Sequence, residues 1–166
     1  MTVSGGGGDE TSSSAAKRRR RPEPTPTQRA LGLLTRREHS RVELARKLAV
    51  RGVEQSAAQE AIDKLGDAGW QSDARFAESL LRSRAASGYG PAYIRAELAT
   101  HRLADATIAQ AMAAFEGDWV AVARQQIRRR HADALADDRA ARRKAMGSLL
   151  RRGFSMEQAA AALGED

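Results

Sequence analysis

Arginine side chains are the residues of this chain whose type and spacing best suit chemistry, and that chemistry is the binding of anions. A guanidinium group holds a carboxylate or a phosphate through paired hydrogen bonds. Residues three or four apart share one face of a helix. Arginines with this spacing, or lying off the apolar stripes of predicted helices, are candidates for contact with an anionic partner: Arg82, Arg84, Arg95, Arg124, Arg128, Arg139, Arg142 and Arg143.

Because these arginines cluster in the C-terminal third, a role in binding a partner is as well supported as a simpler alternative. In that alternative the arginines form a solvated face and are partly neutralised by Asp133, Asp137 and Asp138. Both interpretations remain open from the sequence.

Residue types used in catalysis and metal binding are present, but their spacing is unsuitable. His39, His101 and His131 are far apart and lack the spacing of metal ligands. The adjacent Asp137 and Asp138 diverge by about 100° on a helix, so we expect them to face the dipole at a helix N-terminus. The chain has no phosphate-binding glycine loop that ends in Lys-Ser or Lys-Thr. The sequence therefore predicts no catalytic residues, no metal site, no cofactor and no enzymatic activity.

Composition indicates a basic protein with few aromatic residues for its core. The 166 residues carry 28 Lys+Arg against 21 Asp+Glu, a net charge of +7, which favours a polyanionic or acidic partner. Cysteine is absent, as suits a reducing compartment. No apolar run approaches the roughly 20 residues of a membrane span. We expect a cytoplasmic protein that does not bind membranes and is a monomer.

One sequence pattern occurs three times. Leu44-x3-Leu48-x2-Arg51-Gly52-Val53 aligns with Ile94-x3-Leu98-x2-His101-Arg102-Leu103, and then with Ala145-x3-Leu149-x2-Arg152-Gly153-Phe154. A period of about 50 residues predicts an array of helical modules, each burying its apolar stripe against the next. Such an array suits an extended partner better than a small substrate.

The predicted fold class is all-α, with no sheet: an elongated array of three tandem three-helix repeats, nine helices in all, built from helix-turn-helix-like units. The predicted divisions are a basic Gly/Ser/Pro-rich tail at 1–26 and repeats at 27–72, 73–116 and 117–166. We expect the tail to be disordered, because its composition cannot form a core.

Capping residues locate the helix termini. Ser40 with Glu43 forms a predicted capping box, and Gly52 is expected to end that helix in the left-handed conformation. Trp70 is expected to fill the junction between the first two repeats. Further helix starts are predicted at Ser56, Asp73, Asp105 and Ser155.

The middle repeat contains the most specific motif: an acidic residue, Arg-Phe, Ser-Arg, a Gly-x-Gly turn and Ile-x-x-Glu-Leu. It resembles the pattern of the RecX family, bacterial modulators of the RecA recombinase, and the resemblance extends from about Thr27 to Leu163. Structural roles are favoured for most of these residues, including a pairing of Arg75 with Glu97. The motif residues are Asp73, Arg75, Phe76, Gly88, Gly90, Ile94, Glu97 and Leu98.

The resemblance implies the function. RecX proteins lie in the groove of the RecA filament on single-stranded DNA and inhibit its recombinase, ATPase and co-protease activities. They act by blocking filament growth or promoting disassembly. The implied partners are the RecA filament and, weakly and with salt sensitivity, single-stranded DNA.

A helix-turn-helix transcription regulator is the alternative. Residues 40–65 have its outline, but Ser56–Leu65 offers Gln59, Glu60, Asp63 and Lys64, a net negative face for reading bases. Sequence-specific binding to duplex DNA would distinguish the two functions.

Overall fold

The computed structural model describes residues 22–135 and 138–164. Within these ranges the chain is entirely helices and turns, which confirms the all-α prediction. The predicted tail lies outside the described residues except for its last few positions, as does Asp137. The elements are α1 (Pro26–Leu34), α2 (Arg41–Val50), α3 (Gln55–Asp67), α4 (Asp73–Ala86), α5 (Pro91–Thr100), α6 (Asp105–Ala113), α7 (Trp119–Arg130), a 3₁₀ helix (Ala132–Leu135), α8 (Arg139–Arg151) and α9 (Met156–Leu163).

Each group of three helices has its own core. The first is centred on Leu44, Leu48 and Ile62, all fully buried. The second surrounds Phe76, Ile94 and Leu98, and the third surrounds Ile127, Leu149 and Phe154. Alanines complete all three cores, which lets thin helices pack closely. No helix in the described ranges is long and apolar enough to cross a membrane.

In the first module, Ser40 caps α2 as predicted without completing the capping box, and α3 has a different capping residue from the predicted one. Ser40 Oγ accepts a hydrogen bond from the Glu43 amide at 3.1 Å, but the Glu43 carboxylate turns away towards Arg37 and His39. Helix α3 begins at Gln55, one residue before the predicted cap, because the Glu54 carboxylate accepts from the amides of Ser56 and Ala57. A carboxylate there also meets the positive end of the helix dipole.

Two more starts differ in the second module. Ser72, not Asp73, is the N-cap of α4, and its hydroxyl accepts from the Arg75 amide at 3.3 Å. Asp105 is the first residue of α6, and Ala104 occupies the cap position without a side-chain bond.

The predicted left-handed Gly52 is confirmed, with φ of 76°. Ser155 is the N-cap of α9, as predicted, and it forms a complete capping box with Gln158.

The first two modules meet through side chains. Ser40 Oγ and His101 Nδ1 lie 2.8 Å apart, and the His101 ring packs on Phe76 with centroids 4.6 Å apart. Asp73, freed from capping its own helix, accepts from the Arg41 amide at the start of α2 at 3.0 Å. Trp70 does not fill this junction; it is 56% exposed, so that prediction is wrong.

The second and third modules meet through backbone. The Gly90 amide donates to the Arg152 carbonyl at 2.7 Å, and the Ala92 amide donates to the Gly153 carbonyl at 3.0 Å. A Cβ on Gly90 would come within 2.5 Å of the Gly153 carbonyl, and one on Gly153 would overlap the Tyr93 amide nitrogen. Both positions therefore require glycine.

The two junctions use equivalent elements. In each, the turn between the second and third helices of one module lies on the start of the second helix of the preceding module. His101 approaches Ser40 at the first junction, and Arg152 approaches Gly90 at the second. The repeated sequence thus produces a repeated docking contact, which fixes the order of the modules.

Candidate partner-binding surface

A buried carboxylate, Glu43, is held by basic side chains of its own module. Glu43 is only 6% exposed, and its oxygens accept from Arg37, one bond being 3.1 Å, and lie 2.9 Å from His39 Nδ1. Lys47 is 3.8 Å away. Burial alone raises the pKa of Glu43, but hydrogen bonds from Arg37 and His39 and their charges outweigh it and lower the pKa to about 2. Glu43 is therefore a structural anion.

Arg84, predicted to be an exposed binding residue, is half-buried and already occupied. Its guanidinium donates two hydrogen bonds of 2.6 Å to the two oxygens of Glu97, and this contact raises the pKa of Arg84. The predicted Arg75–Glu97 pair is therefore wrong. Arg75 lies near the start of α4 and donates to Glu38 at 2.8 Å, tying it to the first module.

Two further candidates satisfy the C-terminal end of α9. Arg124 donates to the Ala161 carbonyl and Arg142 to the Leu163 carbonyl, each at 3.0 Å. The last carbonyls of a helix have no partner inside the helix, and a cation there also complements the dipole. These two side chains bind their own protein, which does not favour them as contacts for a partner.

Arginines outside the candidate set perform the same task at the second junction. Arg129 donates to the Ala86 carbonyl at 3.4 Å, and Arg152 donates to the carbonyls of Ser87 and Gly88 at 3.3 Å while lying over the Tyr89 ring. Both bind the C-terminal end of α4 from the next module. Sequence reasoning missed this role, although the arginines near helix ends were a signal for it.

Two candidates in the middle module remain exposed. Arg95, on α5, is exposed. The Arg82 side chain is 67% exposed, but it lies 3.6 Å from Glu78 and borders a cavity of about 300 Å³ that also contains Glu116. These acidic neighbours reduce the attraction of Arg82 for a phosphate.

Three exposed candidates of the third module make no side-chain hydrogen bond or ion pair within the described residues, and they are here called the third-module arginines: Arg128, Arg139 and Arg143. Arg139 and Arg143 are one turn apart on α8 and border a cavity of about 350 Å³ with Met146 and Leu163. Arg128 belongs to the basic C-terminal end of α7. In this module, cationic side chains are therefore exposed to solvent beside the apolar side chains of Met146 and Leu163.

Comparison with known proteins identifies the modules. Three family models match in order: the first three-helix domain of RecX over residues 27–65, the second over 72–112 and the third over 116–163. The chain belongs to the RecX family. The resemblance noted from about Thr27 to Leu163 is thereby confirmed over the three repeats.

Individual RecX proteins agree. The regulatory protein RecX of Stenotrophomonas maltophilia strain K279a is 60% identical over 132 residues, covering 80% of this chain and 81% of the relative. That of Xanthomonas axonopodis pv. citri is also 60% identical, with 80% and 82% covered. The crystal structure of RecX from Lactobacillus salivarius superimposes with a TM-score of 0.68 at 25% identity, covering 84% of this chain and 93% of that one.

Membership of the RecX family gives the chain a regulatory role, because the curated relatives are named regulatory proteins. The residues of the motif that carries the resemblance make contacts within the fold: a contact between modules, two ion pairs, core packing and a close turn. Among the described residues, no three His, Cys, Asp or Glu side chains are grouped to hold a metal ion.

Proposed function

We propose that the chain regulates the RecA recombinase by binding in the groove of the RecA filament on single-stranded DNA. It inhibits the recombinase, ATPase and co-protease activities by blocking filament growth or promoting disassembly. The observation that carries this proposal is a tandem array of RecX domains, joined by equivalent junctions, that offers exposed arginines on its third module.

The junctions support action on a polymer. Modules held at fixed spacing contact successive subunits only when the subunits have matching spacing. A ligand that prefers one spacing shifts the population of filament states by its difference in affinity. The backbone contact at Gly90 and Gly153 makes the second and third modules suited to this task.

The third-module arginines support the proposal that the chain, acting as a monomer, contacts single-stranded DNA. Phosphates bound by guanidinium groups release counterions, so the affinity is weak and falls as salt rises. The alternative, a helix-turn-helix transcription regulator, has less support. Helix α3 presents exposed Glu60, and its Asp63 already accepts from Arg41 and Gln59. Such a face repels phosphates and offers few donors for bases.

The test is the rate of ATP hydrolysis by RecA on single-stranded DNA, with this chain added well below the RecA concentration. Inhibition at low ratios supports a regulator that acts on many subunits per molecule. Unchanged hydrolysis at equal concentrations, with the helical circular dichroism intact, would contradict the proposal.

Replacing the third-module arginines with alanine (R128A, R139A, R143A) is expected to weaken binding to single-stranded DNA. Each lost phosphate contact lowers the slope of log affinity against log salt by about 0.7, so the slope should fall by about 2. Fluorescence anisotropy at several salt concentrations measures it. Helical content should not change, because these side chains are exposed.

The matched control removes three exposed arginines from the first module: R36A, R46A and R51A. Both triple variants lose the same charge, so a general electrostatic effect would change their slopes equally. Equal slopes would show that the third module is not the DNA-binding surface.

A further inference from the structure

One turn of the chain carries an unusual backbone. Between α5 and α6, Arg102 has φ of 54°, the only positive φ of a residue other than glycine in the described ranges. An L-residue is disfavoured in this region because its Cβ approaches the backbone carbonyl. The equivalent turns of the other two modules have Gly52 and Gly153, with φ of 76° and 86°. The middle module thus keeps an arginine where glycine is the better choice for folding.

The fold makes no use of the Arg102 side chain. It is exposed, and within the described part of the chain no hydrogen bond or ion pair engages its guanidinium. Its neighbour His101 contacts Ser40 and Phe76, so the turn itself is held by other groups. By contrast, Arg152 at the position equivalent to His101 is fully occupied. An unfavourable backbone that supports an unoccupied cation indicates a function outside the chain.

We infer that Arg102 is a partner-binding residue that holds a carboxylate on the surface of a protein. This inference rests on the proposed function, in which the partner that carries the carboxylate is a RecA subunit of the filament. A guanidinium fork matches one carboxylate through two parallel hydrogen bonds and needs no second cation. The first junction, where His101 contacts Ser40, lies directly beside it, so the residue marks the point where two modules face the partner together.

The surroundings favour a carboxylate over a nucleic-acid phosphate. Binding along a phosphate backbone uses several cations in a row. Residues 73–116 contain five arginines and five acidic residues, so the middle module has no net charge. Exposed Asp105 lies three positions from Arg102. The cations suited to a phosphate chain lie on the third module instead.

The experiment separates the conformational role of Arg102 from its chemical role with three variants of the full chain. Arg102→Gly removes both the strain and the charge, Arg102→Ala removes the charge alone, and Arg102→Lys keeps a charge without the fork. Thermal unfolding and inhibition of RecA ATP hydrolysis are measured for each. We expect Arg102→Gly to raise the unfolding midpoint by about 2–4 °C and to weaken inhibition about 10-fold.

Arg102→Ala should weaken inhibition to the same extent without raising the midpoint, and Arg102→Lys should lie between Arg102→Ala and the unaltered chain in inhibition. A glycine variant that inhibits as strongly as the unaltered chain would overturn the assignment while leaving the proposed function intact. Binding of each variant to single-stranded DNA is also measured in the absence of RecA. If Arg102→Ala lost affinity for this DNA as well as inhibition, the bound anion would be a phosphate and the assignment to a carboxylate would be overturned. Failure of the unaltered chain to inhibit would overturn both.

Discussion

Replacing Gly153 with alanine is expected to destabilise the chain by about 2–4 kcal/mol and to loosen the third module from the second. Its φ of 86° disfavours any L-side chain, at a cost of about 1 kcal/mol. The added Cβ would also overlap the Tyr93 backbone at the junction. Overpacking of this kind adds about 1–3 kcal/mol, because backbone cannot move aside as a side chain does. Urea unfolding monitored by circular dichroism measures the change.

Gly52→Ala is the matched control, because Gly52 occupies the equivalent turn of the first module. Its φ of 76° is similar, but no atom lies within 4 Å of an added Cβ. Only the conformational cost of about 1 kcal/mol should remain. Equal losses for Gly52→Ala and Gly153→Ala would show that the backbone contact between modules adds nothing, and would contradict the junction described here.

Replacing Glu43 with glutamine is expected to remove about 3 kcal/mol at neutral pH and to flatten the acid limb of the stability curve. The pKa of Glu43 falls from 4.5 to about 2 in the folded chain. A depressed carboxyl pKa adds stability that is present above 4.5 and is lost as pH falls from there towards 2. A shift of this size corresponds to about 3 kcal/mol. Urea unfolding at a series of pH values between 2 and 7 measures it.

Glu60→Gln serves as the control. Glu60 also pairs with a cation, Lys64 at 2.8 Å, but both side chains are about two-thirds exposed. Water screens such a pair, so stability should hardly change at any pH. If E43Q kept the acid limb of the unaltered chain, other carboxylates would carry the acid sensitivity and the assignment to Glu43 would fail.

Some corrections follow from distances along the helices that the sequence already contained. Arg84 lies four residues before Gly88, whereas Arg75 lies thirteen before it. Glu97, six residues after Pro91, is about 9 Å along α5 at 1.5 Å per residue. Two helices joined by a short turn bring together residues at similar distances from it. Arg84 was therefore the better partner for Glu97.

Other corrections required the tertiary structure. Asp73 matched a cap by residue type, but the amide of Arg41, 32 positions earlier, lies within 3.0 Å of its carboxylate. Ser72 could take over the capping because its hydroxyl suits the same role. A local rule cannot choose between two acceptors when the competing donor comes from another module.

The sequence by itself determined the helical class, the threefold repeat and the glycine turns, because apolar spacing, capping and φ preference act over a few residues. Only the tertiary structure decided which arginines are available to a partner. Arg84, Arg124 and Arg142 were indistinguishable from Arg128, Arg139 and Arg143 by type and spacing. Folding placed the first three against Glu97 and the carbonyls of α9, and it left the last three exposed with no such partner in the described ranges. Helix ends and carboxylates compete for guanidinium groups across the whole fold, and this competition depends on positions that no short segment specifies.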